Sequence, residues 1–256
     1  MHIALLIPAL NEEVGIARTA AVAREALDAG LVHSAYMLDG GSTDNTASVA
    51  RDAGIQVLHV PSLFSELGPV LGKGDSLFRG TRSVDADWFV FLDADLGNIS
   101  LSHVQALVAP IGRDGVQFVK GGFVRVDEHG APRAVPGGRV TEEVGRPLLR
   151  TVAAELAELS QPLSGQVAIR AELAKSLSFV TGYGVEIAML IDVYRSVGMA
   201  GIVEADMGAV NNRWKPDDAL GDVMREVTAG ALMRGVDVGC VEPMTLPVLK
   251  DRSLSN

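Results

Sequence analysis

Blocks of apolar and polar positions alternate along the first hundred residues. Residues 2–7 form a short apolar run, read as a buried strand. Residues 12–29 change to helical spacing, with Ile16, Ala20, Ala23 and Leu27 on one face. The alternation repeats with a strand at 35–38, a helix at 44–53 and a strand at 55–60. A loop then runs to Leu71, and a helix is expected at 74–83. WFVFL at 88–92 is continuously apolar, as a strand covered on both faces should be. This order predicts an α/β fold around a parallel sheet with right-handed crossovers. The second half is less regular. Residues 116–126 predict one long strand or a strand pair, and 127–138 a Gly/Pro-rich loop. A helix at 141–159, a short strand at 167–170 and a strongly apolar helix at 185–197 follow. A strand at 202–210, a helix at 217–233 and an irregular tail complete the expectation. No linker separates the halves, so one domain over 1–256 is expected.

Open parallel sheets bind ligands beyond the carboxyl ends of their strands. The first predicted strand ends in Pro8-Ala9-Leu10-Asn11-Glu12 and the second in Asp39-Gly40-Gly41-Ser42-Thr43-Asp44. The third leads to Gly72-Lys73-Gly74, and the fourth ends in Asp93-Ala94-Asp95. All four clusters are polar and fall at one rim. An aspartate pair spaced by one residue can place one carboxylate on Mg²⁺ or Mn²⁺ and the other on a ribose hydroxyl or a metal-bound water. Asp85-Ala86-Asp87 has the same spacing but precedes its strand, so it reads as a solvated turn. Asp39 can accept from a base ring while Gly40 and Gly41 let the base approach; the same residues also make a good turn and helix cap. Glu12 suits ribose hydroxyls, with the main chain at Ala9 and Leu10 framing the base, or it simply begins a helix. Lys73, between two glycines, reaches a base carbonyl or a diphosphate, or is a surface lysine.

Composition narrows the classes. The chain has 256 residues, 48% of them apolar, and 22 basic against 32 acidic residues give a formal charge of −10. That balance opposes neutralising a nucleic-acid backbone. One cysteine, Cys240, excludes an internal disulfide framework or a zinc-thiolate cluster. The opening MHIALLIPALNEE has no basic region or cleavage site and reads as a strand rather than a signal peptide. No stretch approaches the roughly 20 apolar residues of a membrane span. The expectation is a cytoplasmic protein with no membrane or nucleic-acid partner.

IPALNEE, DGGSTDNT, GKGDSLFRG and FVFLDADLGN follow the order seen in GT-A glycosyltransferases. VKGGFVRV, GGRVTEEVGRPLL, QPLSGQVAIR and SFVTGYGVEIAMLIDVY look like the glucosyl-3-phosphoglycerate synthases and the related mannosyl enzymes. The similarity spans residues 3–234. It implies a GT-A (Rossmann-like) α/β fold, a mixed, mostly parallel sheet with flanking helices. Residues 1–115 would be the nucleotide-sugar-binding half and 116–256 the acceptor-binding half. The implied reaction is retaining transfer of a hexose from a UDP- or GDP-sugar to a small acceptor, 3-phosphoglycerate by resemblance. A divalent cation, Mg²⁺ or Mn²⁺, and a homodimer are also implied. Pro8, Ala9, Leu10, Glu12, Lys73, Asp93, Ala94 and Asp95 would hold the nucleotide, with Asp95 on the metal. Gly138, Arg139, Val140 and Thr141 would hold the acceptor, and Tyr183 and Glu186 would line the sugar pocket. The bland readings are a Thr/Glu capping box at Thr141 and a first-turn helix charge at Glu186.

Lys73 or Arg213 would offset charge on the leaving diphosphate, and Glu186 is the candidate carboxylate for a double displacement; front-face attack is the alternative. Two departures stand out. The family's His-Arg-Asn-Arg-Pro stretch aligns with Asn212-Arg213-Trp214-Lys215-Pro216. Asn212 therefore replaces the second metal ligand, and Trp214 enters the acceptor site, where a flat aromatic could stack on a ring or sugar. Gly40 replaces a serine of the nucleotide pocket. The alternatives are transfer to a non-phosphorylated acceptor of a specialised-metabolite pathway, or a nucleotide-sugar-binding protein with impaired catalysis. A sugar nucleotidyltransferase would want a glycine-rich loop where Pro8-Ala9-Leu10-Asn11 stands.

Overall fold

Side chains of the first strand alternate between two faces of a sheet, and both faces are covered. β1 (Ile3–Ala9) sends Ala4 and Leu6 into one apolar cluster and Ile3, Leu5 and Ile7 into the other. The computed structural model describes residues 1–211, 217–236 and 248–249. After β1 come α1 (Glu13–Asp28), β2 (Ser34–Asp39), α2 (Thr46–Asp52), β3 (Gln56–His59), α3 (Lys73–Ser83) and β4 (Trp88–Phe91). α4 (Leu101–Val108), β5 (Phe118–Arg125), α5 (Arg146–Val152), α6 (Ala154–Glu158), β6 (Val167–Arg170) and α7 (Ala171–Ser176) follow. The chain continues through β7 (Phe179–Val180), α8 (Val185–Val197), β8 (Ile202–Val210), α9 (Asp217–Leu232) and β9 (Val248–Leu249).

Seven strands form one sheet in the order β3-β2-β1-β4-β6-β5-β8. β1 pairs in parallel with β2 and β4, β2 with β3, and β5 with β8. β6 runs antiparallel to both of its neighbours, so the sheet is mixed and mostly parallel, as the resemblance implies. Three apolar residues in a row, Val167-Ala168-Ile169, report burial but say nothing about strand direction. The reversal has a consequence for the site: the start of β6, rather than its end, lies at the rim where β1 and β4 end.

The expected helix at 141–159 is broken into pieces. Pro147 lacks the N–H that would close the helical bond to residue 143, and its ring crowds that carbonyl. The chain widens into a π-helical turn over Thr141–Gly145, then continues as α5. Ala153 is extended, at φ −162°, and separates α5 from α6. Two short helices, α4 and α7, have no counterpart in the periodicity. α4 is started by His103, whose Nδ1 accepts the Ser100 main-chain N–H at 3.1 Å, a task usually done by Glu or Gln. In the tail expected to be irregular, β9 pairs antiparallel with β7. Among the described residues no helix is long and apolar enough to cross a membrane.

Candidate active site

The loops leaving β1 and β2 are joined to each other before any ligand enters. Asn11 adopts a left-handed conformation, φ 54°, and its Oδ1 accepts the Thr43 N–H at 2.8 Å. Ser42 Oγ accepts the Asn11 N–H at 3.0 Å, and Thr46 Oγ1 accepts the Glu12 N–H at 2.8 Å. These bonds bring Pro8, Ala9, Leu10, Glu12 and Gly40 onto one wall of a cavity of about 1180 Å³.

Asp39 is placed differently from the expectation. It does not line that cavity and is only 4% exposed. Its Oδ1 accepts the Ser42 N–H at 2.9 Å and the Gly41 N–H at 3.3 Å, and Oδ2 lies 3.3 Å from His59 Nδ1. Burial alone would raise the pKa of this carboxyl, but the Ser42 bonds with those from His59 and Gly41 hold it below the usual carboxylate range. Asp39 shapes the loop that presents Gly40.

Lys73 sits at the first turn of α3 because the flanking glycines permit it. Gly72 needs its positive φ of 82°, and a side chain on Gly74 would run into the main chain of Val180. The Lys73 ammonium pairs with Asp93 and, at 2.7 Å, with Glu186 Oε1. Burial would lower its pKa, but the Asp93 and Glu186 charges outweigh burial and raise it. Gln166 grips Asp93 twice: its Oε1 accepts the Asp93 N–H at 2.9 Å and its Nε2 donates to Oδ2 at 2.8 Å. Gly165 packs directly beneath, where a Cβ would come within 2.7 Å of the Asp93 oxygens. The Asp93-Ala94-Asp95 turn is pinned on its other side by Thr19, which donates to the Ala94 carbonyl at 3.2 Å.

Lys73, Asp93, Ala94 and Asp95 line the same cavity as Gly138, Arg139, Val140 and Thr141, and as Tyr183 and Glu186. The helical turn begins at Arg139, so the first N–H groups after Gly138 have no partner within the helix. The capping-box alternative at Thr141 is not what forms: Glu142 accepts the Gly137 N–H at 3.1 Å and pairs with Arg146. Beside Glu186 on the cavity wall, Glu226 accepts the Tyr183 N–H at 2.6 Å. Asn212, Arg213 and Trp214 lie outside the described residues.

Among the described residues no three His, Cys, Asp or Glu side chains converge on a metal site. The oxygens of Asp93 engage Lys73 and Gln166, and Asp95 is the second carboxylate of the pair on the cavity wall. One hard oxygen donor, completed by diphosphate oxygens and water, suits Mg²⁺ or Mn²⁺.

Sequence reasoning missed Gly165 and Gln166 because it looked only after strands. It also missed Lys120, which is 1% exposed on β5 and donates to the Ser164 carbonyl at 2.7 Å. Burial pushes its pKa down to about 7, with Lys73 adding to the shift and Glu186, Asp93 and Glu204 opposing it. An unfolded lysine titrates near 10.4, so between these values the unfolded chain binds more protons and stability rises with pH. Lys120 is expected to contribute a gain of about 3 kcal/mol between pH 7 and pH 9.5. Urea denaturation of wild type and Lys120→Met at both pH values checks this: the wild type should show the gain and the variant should lack it.

Residues 4–151 match the model of glycosyl transferase family 2. The glucosyl-3-phosphoglycerate synthase of Mycolicibacterium smegmatis is 38% identical over 234 residues, covering 91% of this chain and 77% of the relative. Among solved structures, the glucosyl-3-phosphoglycerate synthase of Mycobacterium tuberculosis with Mn²⁺, UDP-glucose and phosphoglyceric acid superposes with a TM-score of 0.84 at 35% identity, covering 97% of this chain and 89% of that one. The same enzyme is solved with glycerol 3-phosphate, again at a TM-score of 0.84. Mannosyl-3-phosphoglycerate synthase from Rubrobacter xylanophilus superposes with a TM-score of 0.85 at 29% identity, covering 95% and 78% of the two chains.

Proposed function

The chain belongs to glycosyl transferase family 2, and from that premise we propose that it transfers glucose from UDP-glucose to 3-phosphoglycerate with retention at C1. The observation that carries this reading is the shared cavity. The Lys73–Asp93–Glu186 cluster and the anion-binding turn at 138–141 face one space of about 1180 Å³, so a charged donor and a charged acceptor can meet there.

The residues then take roles. Pro8, Ala9, Leu10, Glu12 and Gly40 receive the nucleotide, with residues 1–115 as the donor half and 116–256 as the acceptor half. Asp95 holds a divalent cation, which when bound supplies a Lewis acid that offsets charge on the diphosphate. Lys73 is kept protonated by Asp93 and Glu186 and adds fixed positive charge at the same place. The N–H groups of the turn after Gly138, with Arg139 and Thr141, hold acceptor oxyanions. The acceptor hydroxyl oxygen bonds to C1 as the C1–O bond to the diphosphate breaks. UDP departs with that electron pair, and its phosphate oxygen takes the acceptor proton. Glu186 is already paired with Lys73 at 2.7 Å, which weakens it as a nucleophile and favours this front-face route. We place the protein in the cytoplasm as a homodimer, to be checked by light scattering.

Mass spectrometry of products from a matrix of UDP-glucose, GDP-mannose, 3-phosphoglycerate and divalent ions tests the proposal. The expected product is glucosyl-3-phosphoglycerate, formed from UDP-glucose with Mn²⁺ or Mg²⁺. Efficient turnover of another acceptor and none of 3-phosphoglycerate would overturn it, and a covalent sugar on Glu186 would exclude the front-face route.

A further inference from the structure

A second cationic group stands in the cavity beside the acceptor turn. Arg125 ends β5, and the chain returns through a tight hairpin in which Val126 pairs with Pro132. Arg133 donates its N–H to the Arg125 carbonyl at 2.9 Å and its Nε–H to the Val126 carbonyl at 3.1 Å. The hairpin thereby sets Arg125 and Arg133 on the cavity wall together, along with Asp127. Asp127 serves the turn: its Oδ1 accepts the His129 and Ala131 N–H groups at 2.8 and 2.9 Å.

Arg125 also touches the acceptor turn. Gly138 has φ 79°, and a Cβ on it would lie 2.9 Å from Arg125 Nη1 and 3.2 Å from Cζ. The Arg125 guanidinium therefore lies against the Gly138 main chain, at the point where the turn begins. Burial and then the nearby Arg133 charge hold the Arg125 pKa below its ordinary value, with Asp95 opposing them. Arg125 and Arg133 together put positive charge on this wall, which attracts an anion to it.

We propose that Arg125, backed by Arg133, binds the carboxylate of the acceptor and so selects a phosphorylated acid over the corresponding alcohol. This rests on the reading of 3-phosphoglycerate as acceptor and divides its two anionic ends between two groups. The tetrahedral phosphate suits the N–H groups of the turn after Gly138. The planar carboxylate suits the guanidinium fork, which can donate two parallel bonds to it.

The test compares 3-phosphoglycerate with glycerol 3-phosphate, which has the phosphate and lacks the carboxylate. Arg125→Met should move the ratio of their KM values by about 30-fold against 3-phosphoglycerate, as expected for loss of a charge-assisted contact. Arg125→Lys, which keeps the charge without the fork, should fall between. Where a variant turns over neither acceptor, the same ratio is read from calorimetric Kd values in the presence of UDP and Mn²⁺. An unchanged ratio, with both acceptors weakened equally or not at all, would overturn the carboxylate assignment alone. A wild-type protein that uses and binds neither acceptor would overturn the proposed function with it.

Discussion

Replacing Lys73 by methionine is expected to lower kcat/KM by about 10³-fold and fold stability by about 3–5 kcal/mol. The Lys73 ammonium stands between two carboxylates, Asp93 and Glu186, in a site where its side chain is 17% exposed and that of Glu186 11%. Methionine keeps most of the volume but leaves two acids facing each other without a cation. Breaking such a pair costs more than the pair contributed, because the remaining charges are still desolvated. Catalysis loses the fixed positive charge next to the departing diphosphate. Initial rates with saturating donor and urea denaturation measure the two effects separately. A variant with near wild-type kcat would show that Lys73 has only a structural task, whatever its stability.

The second large effect is on folding. Arg79→Met should cost about 3–5 kcal/mol, or about 10 °C in Tm for a domain of this size. Arg79 and Asp75 are both 0% exposed and pair at 2.7 Å one helical turn apart. The rest of the guanidinium donates to the carbonyls of Leu63 at 2.8 Å and Gly68 at 2.9 Å. Asp75 Oδ2 in turn accepts the Leu71 N–H at 2.8 Å. The pair thus ties the loop before α3 to the helix that carries Lys73. Removing Arg79 strands a buried carboxylate and several carbonyls. The double variant Arg79→Met with Asp75→Leu should be more stable than Arg79→Met alone, since it removes the unpaired charge. Equal Tm values for the single and double variants would mean that the carbonyl contacts, and not the charge, carry the cost.

Much of the donor side was legible in the residues. Parallel β/α units force successive strand ends to one rim, so polar clusters after β1, β2 and β4, and the glycine-flanked Lys73, had to converge if the strands were read correctly. Glu12, Lys73, Asp93 and Asp95 do line one cavity. Asp39 has the right position along the chain, yet its carboxylate turns inward to the Ser42 and Gly41 amides. A strand-end aspartate can serve a ligand or its own loop, and only the path of that loop decides which. The resemblance brought in residues 138–141, Tyr183 and Glu186, which strand-end reasoning alone did not reach.

What the sequence determined by itself is the set of local periods: which segments bury a face, which carry polar ends, and therefore the α/β class and most of one binding rim. The tertiary structure alone decided the antiparallel course of β6, which puts Gly165 and Gln166 at the rim from the opposite chain direction. It alone buried Lys120 within electrostatic reach of Glu186, Lys73 and Asp93 and laid Arg125 against Gly138. The physical reason is range. Hydrophobic periodicity is a property of neighbours in the chain, whereas strand direction, and the company a buried charge keeps, depend on segments dozens of residues away.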